Sequence, residues 1–222
     1  SYENVTTLFH EFGHALHGIF ANQTYPSLSG TNVARDFVEL PSQFNEHWAL
    51  YPGVLKNYAK HYQTGESMPQ ELADKIKKAE TFNQGYALTE VLAASSLDLA
   101  WHTLQPKTQI HPVDEFEAAS LKNNKFNIQL VPPRYRSSNF LHIWSHGYAA
   151  GYYAYQWAEM LDRDAFAWFE QNGGLTRKNG QRFRDTILSK GNTEDYNQMY
   201  RNFSGREPEI SHMLKSRGIS VQ

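Results

Sequence analysis

The first apolar run of the chain is Val5-Thr6-Thr7-Leu8-Phe9-His10-Glu11-Phe12-Gly13-His14-Ala15-Leu16-His17-Gly18-Ile19-Phe20, and its apolar positions recur at helical spacing. It predicts a helix from about Glu3 to Ala21, apolar at nearly every other position and therefore buried on most sides. Residues 22–32 are polar, with Pro26 and Gly30, and predict a loop with at most a short extended segment around residues 24–33. A second helix starts near Ala34 to Asp36 and carries Phe37, Val38, Leu40, Phe44 and Trp48, with Pro41 in an early turn or at a kink. Pro52 opens a short helix through Tyr62, Thr64 to Ser67 form a turn, and Met68 to Leu72 begin another helix. A longer helix follows from about Phe82 to Thr103. His111-Pro112 ends a loop, Val113 to Lys122 is helical, and Val131 to Ser138 is extended. Phe140 to Leu161 reads as a helix broken near Ser145 to Gly147, and short helices separated by glycines complete the chain. Strand-like alternation is nearly absent, so the fold class expected is mainly α.

Composition narrows the function classes. The 222 residues carry a net charge of −2 with no long basic tract, which gives no support to a nucleic-acid partner. No stretch approaches the roughly 18 consecutive apolar residues of a membrane span, and the start lacks the features of a signal peptide. Cysteine is absent, which removes thiol ligands and disulfides and fits a reducing, cytoplasmic location. Aromatic residues make up 14%, enough for a large core or an aromatic-lined cleft.

The chemistry enters with His10-Glu11-Phe12-Gly13-His14. Residues four apart stand above one another on a helix, so both histidines can face one ion. Glu11, one position on, can reach a water on that ion and act as its base, which is the H-E-x-x-H arrangement of zinc peptidases. A catalytic zinc takes three protein ligands and keeps one position open. His17 lies on the same helix, and three ligands in a row cannot surround an ion tetrahedrally, so it reads as a buried or half-buried helix histidine. The longer metzincin pattern requires Gly at 17 and His at 20, where this chain has His17 and Phe20. Asp36 and Glu39 share a face of the second helix among apolar neighbours, where unpaired carboxylates are costly. Glu39 is the expected third ligand, and Asp36 the expected partner of a histidine N–H. Glu46, two turns after Glu39, is the alternative partner, and a solvated acidic face is the plain alternative to both.

These residues resemble a known family. His10-Glu11-Phe12-Gly13-His14-Ala15-Leu16-His17, Ser29-Gly30-Thr31-Asn32 and Arg35-Asp36-Phe37-Val38-Glu39-Leu40-Pro41-Ser42-Gln43 are similar to the thimet oligopeptidase and neurolysin family of zinc peptidases. Val131-Pro-Pro-Arg-Tyr-Arg-Ser-Ser138 looks most like its bacterial branch, the peptidyl-dipeptidases, and the similarity runs through the whole chain. The resemblance implies a zincin-like, neurolysin-like helical catalytic domain over residues 1–222, one zinc ion held by His10, His14 and Glu39, and Glu11 as general base. It further implies that the chain is the C-terminal part of a longer protein. The missing N-terminal part would form the other wall of a narrow cleft that admits short peptides.

A second stretch, His142-Ile143-Trp144-Ser145-His146-Gly147-Tyr148-Ala149-Ala150-Gly151-Tyr152-Tyr153-Ala154-Tyr155, places Tyr148, Tyr152 and Tyr155 at the i, i+4, i+7 spacing of one helical stripe. Spacing alone fits an aromatic core stripe as well as a row of donors. The resemblance assigns substrate binding and oxyanion stabilisation here, with Tyr155 as the donor to the oxyanion, Tyr148 and His142 holding the peptide, and Tyr152 binding substrate. His146 is a departure, since relatives tend to have glycine in this loop. Arg134, next to Tyr135 on an extended segment with Arg136, can grip a C-terminal carboxylate, with ordinary surface salt bridges as the alternative. The function expected is a zinc metallopeptidase releasing C-terminal dipeptides. Its rivals are an endo-acting oligopeptidase and an inactive zinc-binding fragment that only binds peptides or another chain.

Overall fold

The computed structural model describes residues 1–110 and 112–220. The loop end expected at His111 lies outside the described residues. The chain divides into two compact units, one made of Ser1–Phe82 with Gln156–Gln222 and the other of Asn83–Tyr155. Among the described residues the architecture is helical, and β pairing is limited to an isolated bridge between Lys60 and Ser67. That bridge closes the turn expected at Thr64 to Ser67. No described helix is long and apolar enough to cross a membrane.

The first unit opens with α1 (Tyr2–Ile19), capped by Ser1, whose hydroxyl accepts from the Asn4 amide. The loop after it contains a single 3-10 turn, Pro26–Leu28, within the loop expected there to hold at most a short extended segment. Then come α2 (Arg35–Glu46), α3 (Pro52–Tyr58) and α4 (Gln70–Ala79). Pro41 sits inside α2, which continues through it. The unit resumes within α8 (Ala154–Gln171) and adds α9 (Arg177–Phe183), α10 (Tyr196–Ser204) and α11 (Ile210–Ser216). Its core joins Phe37, Leu40, Phe44 and Trp48 of the second helix region to Leu161, Phe169, Phe183, Ile187, Met199 and Phe203.

The second unit contains α5 (Gln84–His102), α6 (Val113–Asn123) and a single turn of helix, α7 (Leu141–Trp144). Its core gathers Ala94, Phe140, Ile143 and Tyr152.

Two expectations need correction. Helix α1 is not buried on most sides. Leu8, Phe12 and Ile19 are 67%, 54% and 67% exposed, and its buried residues are Gly13 and His17. One face of α1 packs against α2, and that contact selects the narrow side of the helix carrying Gly13 and His17. The second correction concerns residues 148–153, which do not continue a helix. They form successive turns, with Gly151 N–H donating to Tyr148 C=O and Ala154 N–H to Gly151 C=O. Gly147 and Ala150 take left-handed conformations at φ 78° and 54°, which a right-handed helix cannot contain.

Candidate functional site

Helix α1 sets His10 and His14 one turn apart, and α2 brings Glu39 beneath them. A Cβ added to Gly13 would stand 2.6 Å from Ser42 Cα and 2.7 Å from Pro41 C=O. Glycine between the two histidines therefore lets the helices approach at the point where Glu39 must reach across. Asn45 strengthens the contact by donating its side-chain amide to the Phe9 carbonyl at 2.6 Å.

His10 Nε2 and His14 Nε2 each lie 3.3 Å from the same oxygen, Glu39 Oε2. One ligand atom from each of the three residues falls within 4.8 Å of the other two. Two donors held about 2.0–2.1 Å from one tetrahedral ion stand about 3.4 Å apart, so the residues fit a zinc ion. Glu39 is 4% exposed, and Ser42 Oγ donates to its Oε2 at 2.9 Å, which fixes the carboxylate. The opposite nitrogen of His10, Nδ1, is 2.7 Å from Glu46 Oε1. Burial works against a charge on His10, but its bonds to Glu39 and Glu46 prevail and push its pKa up to about 10. The cluster is built to hold positive charge, as a proton or as a metal ion. Neutral imidazoles with two nearby carboxylates form an ordinary donor set for zinc.

The histidine partner proposed for Asp36 is supplied instead by Glu46, the alternative, because Glu46 lies on the turn of α2 that faces His10 Nδ1. Asp36 is half-buried in the first turn of α2, where its charge bears on Tyr196. His14 Nδ1 is buried without a hydrogen-bond partner. His17 is fully buried and stands apart from the three-residue cluster. Burial and then His14 push its pKa down to about 4, so it is a neutral core histidine. Glu11 is exposed, one position around the helix from His10. Its carboxylate is free of the constraints that hold Glu39 and is open to solvent.

In the second unit the three tyrosines do come together, although no helix aligns them. Tyr148 and Tyr155 stack at 5.1 Å and 17°, and Tyr152 meets Tyr155 at 5.4 Å and 63°. The His142 ring lies 6.2 Å from Tyr148, 5.5 Å from Tyr152 and 6.3 Å from Tyr155. Burial, then His146 and Arg134, lower the His142 pKa, so its imidazole is uncharged at neutral pH. Tyr152 is 4% exposed, and burial raises its pKa, which keeps the phenol protonated. Tyr155 is half-buried and lies in the first turn of α8, whereas Tyr152 is buried. His146 is exposed.

Arg134 is engaged by Glu90, with Nη1 2.9 Å from Oε1, and its backbone N–H donates to the Glu90 carbonyl at 2.9 Å. Arg136 pairs with Glu117, and the same carboxylate accepts from the Ser137 amide and hydroxyl at 2.8 Å each. The segment is therefore anchored by salt bridges at both arginines. Asp98 went unnoticed in the sequence. It is fully buried and accepts from the Ala150 and Tyr152 amides at 2.9 Å each. The available signal was a lone carboxylate inside the apolar run Val91 to Trp101.

Residues 1–219 match the family model of Peptidase family M3. The chain is 53% identical over 220 residues to the dipeptidyl carboxypeptidase of Escherichia coli, covering 99% of this chain and 32% of that protein. The Salmonella typhimurium dipeptidyl carboxypeptidase is likewise 53% identical, over 98% of this chain and 32% of its own length. Oligopeptidase A of E. coli is 38% identical over 99% of this chain and 32% of its own length. The chain thus spans about a third of the length of these relatives. With a match that runs over nearly all of its length, the chain belongs to peptidase family M3.

Proposed function

We propose that the chain is the catalytic, C-terminal part of a zinc peptidase that releases dipeptides from the free C-termini of short peptides. The convergence of His10 Nε2 and His14 Nε2 on one oxygen of Glu39 carries this reading. The two relatives at 53% identity that are named dipeptidyl carboxypeptidase support the choice of product.

His10, His14 and Glu39 would hold the ion. When bound, zinc supplies Lewis-acid polarisation of the scissile carbonyl and lowers the pKa of a water toward about 7. Glu11 takes a proton from the attacking water and passes it to the leaving amine, and its exposure leaves it accessible to both. Tyr155 donates its hydroxyl to the developing oxyanion, as a neutral phenol O–H can. Tyr148 and the uncharged His142 hold the peptide backbone, Tyr152 shapes the floor under it, and Arg134 takes the terminal carboxylate. The rest of the longer protein closes the cleft around the peptide. Replacing Glu11 by Gln tests the mechanism: bound zinc should stay at wild-type level while turnover of a short peptide is lost. Near wild-type turnover in that variant would sink it.

A second reading, endo-acting cleavage, draws on the resemblance to oligopeptidase A and on the Glu90 partner that already occupies Arg134. A peptide and its C-terminally amidated form separate the two, since equal cleavage of both favours the endo-acting reading. The inactive, zinc-binding alternative is excluded if this polypeptide, joined to its upstream part, hydrolyses either peptide.

A further inference from the structure

We propose that Asp98 is the positioning residue of the tyrosine loop, holding Tyr148, Tyr152 and Tyr155 in their working arrangement through the backbone of residues 150–152. The inference rests on the assignment of Tyr155 as oxyanion donor.

Asp98 lies on α5, and its carboxylate is fully buried. A buried carboxylate without partners is costly, so its hydrogen bonds reveal its purpose. Oδ1 accepts from the Ala150 N–H and Oδ2 from the Tyr152 N–H, both at 2.9 Å. His102 Nδ1, one turn further along α5, lies 2.7 Å from Oδ1 and supplies a third donor. Both oxygens are thus committed to this loop and to the histidine behind them.

The loop needs such a support. Ala150 adopts φ 54°, a left-handed conformation that is unfavourable for a residue with a Cβ. Helical hydrogen bonds are missing across the loop, so the Ala150 and Tyr152 amides would have no helical carbonyl to meet. Asp98 satisfies them both with one rigid group, and charge-assisted bonds of this kind are stronger than neutral ones. The consequence is the side-chain geometry. Fixing the Tyr152 backbone directs its ring into the core against Phe140 at 4.7 Å. The Tyr155 ring, three residues on, then stacks on Tyr148 and meets Tyr152 edge-on. Asp98 touches no reacting atom in this scheme and acts only through the loop.

Asparagine is the discriminating substitution. It keeps the size of Asp98 but offers one acceptor, and its amide N–H₂ opposes whichever loop N–H it faces. In the zinc-loaded protein, Asp98→Asn should lower kcat by about 10- to 100-fold, the scale of a misplaced catalytic group, with KM changed far less and zinc content unchanged. The decisive comparison is a double-mutant cycle with Tyr155→Phe. If Asp98 works by placing the tyrosines, Asp98→Asn adds little to the loss already caused by Tyr155→Phe. Equal losses in both backgrounds would show a general structural role and overturn the proposal. Full activity of Asp98→Asn, with Tyr155→Phe impaired, would overturn it too and leave the Tyr155 assignment standing. An unimpaired Tyr155→Phe would instead remove that assignment and the proposal with it. Should Asp98→Asn fail to fold, His102→Leu, which has no donor, withdraws one from Oδ1 at a position whose side chain is 22% exposed. It is expected to lower kcat several-fold with the same dependence on Tyr155, and wild-type kcat in it would reject the proposal.

Discussion

Gly13 faces Ser42 so closely that a single added carbon would stand 2.6 Å from the Ser42 Cα, which makes this pair the spacer between the two helices that carry His10, His14 and Glu39. Gly13→Ala must push α1 away from α2. A loss of about 1–3 kcal/mol of stability is expected from such overpacking, together with weaker zinc binding as the Glu39 carboxylate draws back from both histidines. Gly18→Ala is the control, because a Cβ there meets nothing within 4 Å. Thermal unfolding and metal titration of the two variants check the prediction, and equal behaviour would refute it.

Glu46 orients His10 through the 2.7 Å contact to Nδ1. Carboxylates behind a ligand histidine typically contribute about 10- to 100-fold in metal affinity. Glu46→Gln is therefore expected to weaken zinc binding on that scale, measured by competition with a chelator. Asp36→Asn should have a smaller effect. The opposite order would restore Asp36 as the histidine partner.

His17 gives the fold an acid limit. Its pKa is lowered from 6.5 to about 4 in the folded chain, so the unfolded chain binds a proton more readily. The stability this residue contributes is fully present above pH 6.5 and is lost as pH falls to about 4. The shift corresponds to about 3 kcal/mol at most. A His17→Phe variant should lose stability less steeply over that window, followed by denaturant unfolding at several pH values. Parallel curves would show that His17 does not govern it.

Arg134 separates exo from endo specificity. If it grips the terminal carboxylate, Arg134→Gln raises KM for a free-acid peptide about tenfold or more, the loss of a charged hydrogen bond, and leaves the amidated peptide unaffected. Equal changes for both substrates would reduce Arg134 to the structural partner of Glu90.

Much of this protein is written locally. The spacing of His10, Glu11 and His14 fixes their common helix, since a four-residue step is nearly one helical turn. The mainly α class follows from the same periodicity and from the near absence of alternation, and the structure is helical throughout its described elements. Glu39 could be picked out because a carboxylate among Phe37, Val38 and Leu40 needs a partner, and the structure brings it within 3.3 Å of both histidines.

Contacts between distant segments required the fold. Whether Asp36 or Glu46 would meet His10 depended on how α2 packs against α1, and the closeness allowed by Gly13 settles that geometry. The exposure of Leu8, Phe12 and Ile19 could not be read from their apolarity, because burial depends on which neighbours cover a face. The tyrosines show the division most clearly. Their spacing suggested a helical stripe, yet they gather through turns. A buried carboxylate fifty-odd residues earlier in the chain, Asp98, satisfies the backbone that a helix would otherwise have satisfied itself. Side-chain periodicity reports local geometry, and only the tertiary structure decides which distant group meets an unpaired amide.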